Sequence, residues 1–134
     1  MGVVIDTNVW IDVERGRLKP VEVAAVTGEQ SVFLTPIVLA ELWYGVQRAA
    51  TSEQRSRRLA AMTRLRRKPC LIIDADTGEI FGRLAAEMDQ QGRPSRHRLH
   101  DLWIAAAAIQ HGHSLLTRNQ ADFADIPGLR LLSV

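Results

Sequence analysis

The sequence predicts an α/β domain with a mainly parallel central sheet flanked by helices. Three observations carry that reading. Short apolar runs at Val3–Ile5, Ser31–Leu34, Leu71–Ile73, Ser114–Leu116 and Leu129–Leu132 have the length of buried strands and are bounded by turn residues. Longer segments with apolar residues at helical spacing lie between most of them. Strands separated by helices imply crossovers, and crossovers of one hand lay helices on both faces of a parallel sheet.

The elements follow in order. Val3–Ile5 is the first strand, and Asp6-Thr7-Asn8 caps a helix that carries Val9, Trp10 and Val13 and stops at Gly16. Pro20–Val26 forms a second short helix closed by Gly28, and Ser31–Leu34 is the next strand. Thr35 then caps a helix over 37–48, with Pro36 in the first turn, where a missing N–H does no harm. Thr51 and Gln54 have capping-box spacing at the head of an arginine-rich helix that Pro69 stops. Leu71–Ile73 reads as a third strand. Asp76 with Glu79 opens a helix containing Ile80, Phe81, Leu84, Ala85 and Met88, ended by Gly92. A polar loop spans 93–98, and an apolar, alanine-rich helix runs over 99–111, closed by Gly112. Two last strands follow, with a short helical turn between them.

Composition sets the bounds. The 134 residues fit one domain, 1–134, with 46% hydrophobic and 24% charged residues, a balance suited to a water-soluble globular chain. Cys70 is the only cysteine, so no intramolecular disulfide is possible, and its place at the head of an apolar run predicts a buried core thiol. No basic segment followed by an apolar stretch opens the chain, and the longest apolar run, Ile104–Ile109, is too short to span a bilayer. A cytoplasmic protein is expected. The net charge is only +2, but it is unevenly spread. Arg55, Arg57, Arg58, Arg64, Arg66, Arg67 and Lys68 crowd one stretch, and Arg93, Arg96 and Arg98 another. Such a split suits a protein that holds phosphates on one surface and a cation on another.

Ligands of parallel α/β sheets collect at the carboxyl ends of the strands. Asp6 stands at such an end, as do Thr117, Arg118 and Asn119. Glu41 interrupts an apolar helix face (Ile37, Val38, Ala40, Leu42), and Asp101 opens a helix that is otherwise almost wholly apolar. Asp6 and Asp101 each have a plain alternative as helix caps, and Asp122 as a cap or surface acid. Glu41 resists one, because an unpaired buried carboxylate is costly. Several carboxylates gathered at one sheet end repel, each close pair by about 1–4 kcal/mol. A hard divalent cation removes that repulsion, and carboxylate oxygens with water are the ligands that Mg²⁺ or Mn²⁺ takes. Sites of this kind hydrolyse phosphodiesters.

Four segments carry a family resemblance. Val3-Val4-Ile5-Asp6-Thr7-Asn8-Val9-Trp10-Ile11 resembles the opening of PIN domains, and Thr35-Pro36-Ile37-Val38-Leu39-Ala40-Glu41-Leu42-Trp43-Tyr44-Gly45 their second motif. His100-Asp101-Leu102-Trp103-Ile104-Ala105-Ala106 is similar to the third, and Leu116-Thr117-Arg118-Asn119-Gln120-Ala121-Asp122-Phe123 to the fourth. Each is weak alone; four in order, across nearly the whole chain, are strong. The look is that of VapC-type toxins and their FitB-like relatives. The resemblance implies a single PIN-like domain with Asp6, Glu41 and Asp101 as metal-binding and catalytic acids. The fourth position is open: Asn119 stands where many relatives carry Asp, and Asp122, three residues on, is the alternative acid. Thr7, Asn8 and Thr117 are implied as supports through hydrogen bonds.

The resemblance further implies a metal-dependent endoribonuclease using Mg²⁺ or Mn²⁺, an RNA substrate, and the toxin role in a type II toxin–antitoxin system. It also implies a VapB-like antitoxin as partner, a homodimer, and possible higher toxin–antitoxin assemblies, with no membrane involved. Arg55, Arg58, Arg96 and Arg98 are candidate RNA contacts, against the alternative that the first basic stretch is a solvated helix face. Leu42, Trp43 and the helix from Pro20 are candidate walls of the antitoxin groove. Two other readings stay open. One is a PIN-scaffold binding module with little or no catalysis, kept alive by Asn119. The other is a phosphoryl transferase with Asp6 as nucleophile, disfavoured because Thr7-Asn8 follow in place of a second acid and no glycine-rich phosphate loop is present. His97 and His100 lack the partners that a zinc site needs.

Overall fold

The computed structural model describes residues 1–134. Its strands are β1 (Gly2–Ile5), β2 (Ser31–Phe33), β3 (Ser114–Thr117) and β4 (Leu131–Ser133), all parallel, in the order β2-β1-β3-β4. Its helices are α1 (Thr7–Glu14), α2 (Pro20–Thr27), α3 (Pro36–Gln47), α4 (Ser52–Leu65), α5 (Ala75–Gln90) and α6 (Leu99–Gln110). The α/β class and the parallel sheet stand as the sequence implies.

The two central strands are buried throughout, and alternate side chains feed two cores. Val4 and Leu115 join the larger one, built with α3, α4, α5 and α6, while Val3, Ile5 and Leu116 join a smaller one with Val9 and Leu18, packed by Val13, Val23 and Val26 of α1 and α2. That is the period-2 alternation of a strand with helices on both sides. Helix α6 has no polar face in its middle: Ala105, Ala106, Ala107 and Ala108 have no exposed surface, and their small side chains let the backbone approach its neighbours closely. Gly2 answers a similar need, since a Cβ there would lie 2.4 Å from the Phe33 ring and 2.7 Å from the Ser31 carbonyl on β2.

Local chemistry departs from the sequence reading at six places. Leu71–Ile73 is not a strand: one bridge joins Leu34 to Cys70, held by Leu34 N–H to Pro69 O (2.9 Å) and Leu71 N–H to Leu34 O (2.8 Å), and Ile72 is exposed. The pairing ends there because the chain turns at once into the cap of α5. That cap is Asp74, not Asp76; its Oδ1 accepts from the N–H groups of Asp76 and Thr77, and Thr77 Oγ1 accepts from Asp74 N–H. The Thr51 box is displaced by one residue, because the Gln54 side chain accepts from Ala50 N–H rather than from the cap itself. Cys70 is exposed rather than buried, lying at the sheet's margin where the strand fails to continue. The last strand starts two residues later than read, at Leu131, and the loop over 93–98 holds a 3₁₀ turn, Ser95–His97. No helix is long and apolar enough to cross a membrane.

Candidate active site

Four carboxylates come from four separate segments to the carboxyl end of β1 and β3. Asp6 follows β1, and its backbone N–H extends the sheet ladder to Leu116 O at 2.9 Å. Its extended backbone makes it the N-cap of α1, with Oδ1 accepting from Thr7 N–H at 2.8 Å. The cap alternative is thus satisfied by one oxygen only. The other, Oδ2, accepts the hydroxyl proton of Thr117 at 2.8 Å. That hydroxyl, wholly buried, in turn accepts from Asn8 Nδ2 (3.3 Å) and Asn119 N–H (3.0 Å). A hydroxyl has one proton and two lone pairs, so both acceptor positions are filled and the proton is committed to Asp6.

Glu41 sits on α3, half-buried, where Oε1 accepts from the Thr7 hydroxyl at 2.7 Å and Oε2 lies 3.5 Å from His100 Nδ1. Asp101 occupies the first turn of α6, beyond Arg98 at the helix N-cap. Asp122 lies in a 3₁₀ turn (Gln120–Asp122) after β3, and the Asn119 side-chain amide donates to its carboxylate. Asn8 closes the network by accepting from Arg118 N–H at 3.3 Å.

The charges feel one another. Burial raises the Asp6 carboxyl above its ordinary range, against the Thr117 and Thr7 hydrogen bonds that lower it, and the Glu41 and Asp122 charges add to the rise. Asp101 is pushed up to about 6, first by burial and then by Asp6, Asp122 and Glu41, with Arg98 opposing. Negative charges that push up the Asp6 and Asp101 carboxyls in this way are ones that a cation would relieve. As they stand, no three of these side chains converge into a ready coordination shell. The donor chemistry nonetheless fits a hard cation: the donors are oxygens, mutually repelling, with hydroxyl and amide braces behind three of them. Asp101 alone of the four has no such brace.

The basic residues separate into two kinds. Arg58 is half-buried and donates to Gly45 O at 2.6 Å, and Arg98 is taken up by Asp125 and the Asp122 carbonyl. Both thus have partners within the chain: Arg58 spends one of its five N–H donors on Gly45 and Arg98 three on Asp125 and Asp122, which ties each to the scaffold. Arg55 and Arg96 are exposed, bonded only to Gln47 (3.4 Å) and to the His97 ring (3.1 Å). Arg96, His97 and His100 border an open depression of about 330 Å³ that includes Asp101. On the other side of Glu41 runs a groove of about 800 Å³ between α1, α2, α3 and α4. Its walls include Trp10, Pro20, Val23, Leu42 and Met62, with Arg64, Arg67 and Lys68 at its margin; Trp43 does not line it and lies instead under Arg66. The sequence reading missed Asp125 and Asp12, which hold Arg98 and Arg118; nothing in their spacing marks them.

With this geometry in place, comparison with known proteins is direct. The family model described as PIN domain matches residues 3–129. Ribonuclease VapC5 of Mycobacterium tuberculosis is 36% identical over 125 residues, covering 93% of this chain and 87% of that protein. Among solved structures, VapBC2 from Rickettsia felis, bound to a DNA fragment from its promoter, matches with a TM-score of 0.82 at 28% identity, covering 100% of this chain and 99% of that one. VapBC-5 from Mycobacterium tuberculosis, described as a member of the VapBC family of toxin–antitoxin systems, matches with a TM-score of 0.81 at 29% identity over the full length of both. Four carboxylates on a parallel sheet end, the order of their motifs and this likeness agree, and the chain belongs to the PIN-domain family, among the VapC ribonucleases.

Proposed function

We infer that this chain is an endoribonuclease, the toxin of a type II toxin–antitoxin pair, and that it works with Mg²⁺ or Mn²⁺. The observation that carries the reading is the meeting of Asp6, Glu41, Asp101 and Asp122, each raising or feeling the charge of the others, at one end of the sheet. The relatives named as VapC ribonucleases and VapBC complexes support the substrate class and the partner.

In this reading Asp6, Glu41, Asp101 and Asp122 hold the cation, and Asn119 orients Asp122 rather than ligating in its place. A bound divalent ion supplies a Lewis acid for the phosphate and an acidified water. The chain's own part is positional. Thr117 and Thr7 N–H fix Asp6, the Thr7 hydroxyl fixes one oxygen of Glu41, and His100 beside Glu41 stands on the open side where a phosphate approaches. Arg96 at the depression by Asp101 supplies a nearby positive charge for the RNA backbone. The apolar groove between α1, α2 and α3 suits an amphipathic segment of a VapB-like antitoxin, ending beside Glu41. The chain is further read as a cytoplasmic homodimer, able to enter larger assemblies with its antitoxin.

The test is cleavage of total cellular RNA by purified, antitoxin-free protein in Mg²⁺, Mn²⁺ or EDTA, beside Asp101→Ala. Discrete fragments that need metal and vanish in the variant are expected. Folded protein that cuts nothing in either metal sinks the nuclease reading and leaves the binding module.

A further inference from the structure

Outside the carboxylate cluster, one arrangement of charged side chains is built more firmly than the surface requires. Arg98 is the residue at the N-cap of α6, yet its side chain gives the helix no capping bond. It reaches across to Asp125 instead, with Nη1–Oδ2 at 2.9 Å and Nη2–Oδ1 at 3.0 Å, and Nη2 also donates to the Asp122 carbonyl. Arg93 approaches the same carboxylate, Nη1–Oδ2 at 2.5 Å. The Arg98 and Asp125 side chains are only 19% and 15% exposed. A two-pronged guanidinium–carboxylate pair that is largely withdrawn from water fixes geometry in a way that an exposed ion pair does not.

The segments it joins carry the two acids that no threonine hydroxyl holds. Asp6 and Glu41 are each held by a threonine hydroxyl, on Thr117 and Thr7. Asp101 lies three residues beyond Arg98, on the rigid first turn of α6. Asp122 lies three residues before Asp125, on a single 3₁₀ turn after β3. The other ties of that turn are the Asn119 amide to Asp122, the Asn119 N–H to the Thr117 hydroxyl, backbone bonds within 119–126, and the burial of Phe123 and Ile126 in the larger core. Without the arginine, nothing polar fixes that turn against α6. The guanidinium also brings a positive charge within reach of two acids that repel.

We propose that the Arg98–Asp125 pair, with Arg93 as its outer arm, is a positioning strap that sets the separation of Asp122 from Asp101 and thereby the affinity of the site for a divalent cation. Asp125 and Arg98 act through the acids and do not touch substrate. The proposal rests on the reading of those acids as metal ligands.

The experiment is Mn²⁺ titration of the full chain, with free Mn²⁺ read by electron paramagnetic resonance, for the parent, Asp125→Asn, Asp125→Glu and Arg93→Gln. Loss of a residue that orients metal ligands costs roughly 10–100-fold in affinity, and Asp125→Asn is expected at the lower end of that range. Asp125→Glu should recover part of the loss, and the exposed Arg93→Gln should show a smaller one. With RNA, Asp125→Asn should lower kcat and leave KM nearly unchanged. Amide exchange over residues 119–125 should quicken in Asp125→Asn while the rest of the chain keeps its protection. A folded Asp125→Asn protein that binds Mn²⁺ as the parent does overturns the strap and leaves the metal reading standing. A parent that binds no Mn²⁺ overturns both. If Asp125→Asn does not fold, Arg93→Gln decides, and unchanged Mn²⁺ affinity there overturns the strap.

Discussion

The Thr117 hydroxyl donates to Asp6 at 2.8 Å while Asn8 and Asn119 fill both of its lone pairs. The proton has nowhere else to go, so Thr117 sets the direction of one Asp6 oxygen as firmly as the α1 cap sets the other. Thr117→Val keeps the shape and removes the donor. It also leaves Asn8 and the Asn119 N–H short of an acceptor in a partly buried place. A loss of about 1–3 kcal/mol in stability is expected, measured by urea unfolding. Mn²⁺ affinity should fall by roughly tenfold or more. Thr117→Ser, which keeps the hydroxyl, should retain most of both. A valine variant with parent stability and parent metal affinity would show that the hydroxyl directs nothing.

Asp101 gives a pH signature of opposite sign to the usual carboxylate. Its folded pKa of about 6 lies above the ordinary 3.8, so between those values the folded chain binds more protons than the unfolded one. Stability without metal should therefore fall as pH rises from about 4 to 6 on this group's account, and stay reduced above that. Asp101 is only half-buried, so solvent screening limits the effect to about 1–2 kcal/mol at pH 7. Asp101→Asn should be more stable than the parent in EDTA at pH 7 and no more stable at pH 4, while losing cleavage. Thermal unfolding at the two pH values checks it; a variant less stable than the parent at pH 7 would mean that the carboxylate is favourably held.

Much of this was legible in the sequence, and the reasons divide by range. Buried parallel strands read as short apolar runs, and Thr35-Pro36 and Asp6-Thr7 read as caps because those signals are local. Leu71–Ile73 misled because an apolar run states hydrophobicity, not pairing: the partner edge ends after one bridge, and Asp74 recruits the chain into α5. Asp6, Glu41 and Asp101 stood out as acids at a strand end, on an apolar face and at the head of an apolar helix, whereas Asp122 reads as a cap or surface acid and was singled out only by the family resemblance. Asp125 was not, since its role depends on a guanidinium 27 residues away. The split of the arginines was hidden for the same reason, because Arg58 and Arg98 differ from Arg55 and Arg96 only in what lies opposite them.

Gly2 tests the packing of β1 against β2. An added Cβ meets both the Phe33 ring and the Ser31 carbonyl at distances that real Cβ atoms do not adopt. The ring is itself stacked on His113 at 4.4 Å between centroids, so it has little room to retreat. Gly2→Ala should cost about 1–3 kcal/mol, the usual range for overpacking. Chemical denaturation measures this, and a neutral result would mean that the strands separate more readily than their buried register implies.

The arginines offer a last contrast. If RNA is held through its phosphates, removing a free guanidinium lowers affinity uniformly across sequences and reduces the salt dependence of binding by about one charge. Arg55→Ala and Arg96→Ala, both at exposed positions, should behave this way in fluorescence anisotropy with a non-cleavable RNA, and should unfold as the parent does. Arg58→Ala should do the reverse. It removes a charge-assisted bond of 2.6 Å to the Gly45 carbonyl, which ties α4 to α3 at the margin of the groove, so a stability loss of about 1.5–3 kcal/mol is expected with little change in the salt slope. Should Arg58→Ala flatten the salt dependence while leaving stability untouched, its guanidinium would be facing RNA after all, and the carbonyl contact would be incidental.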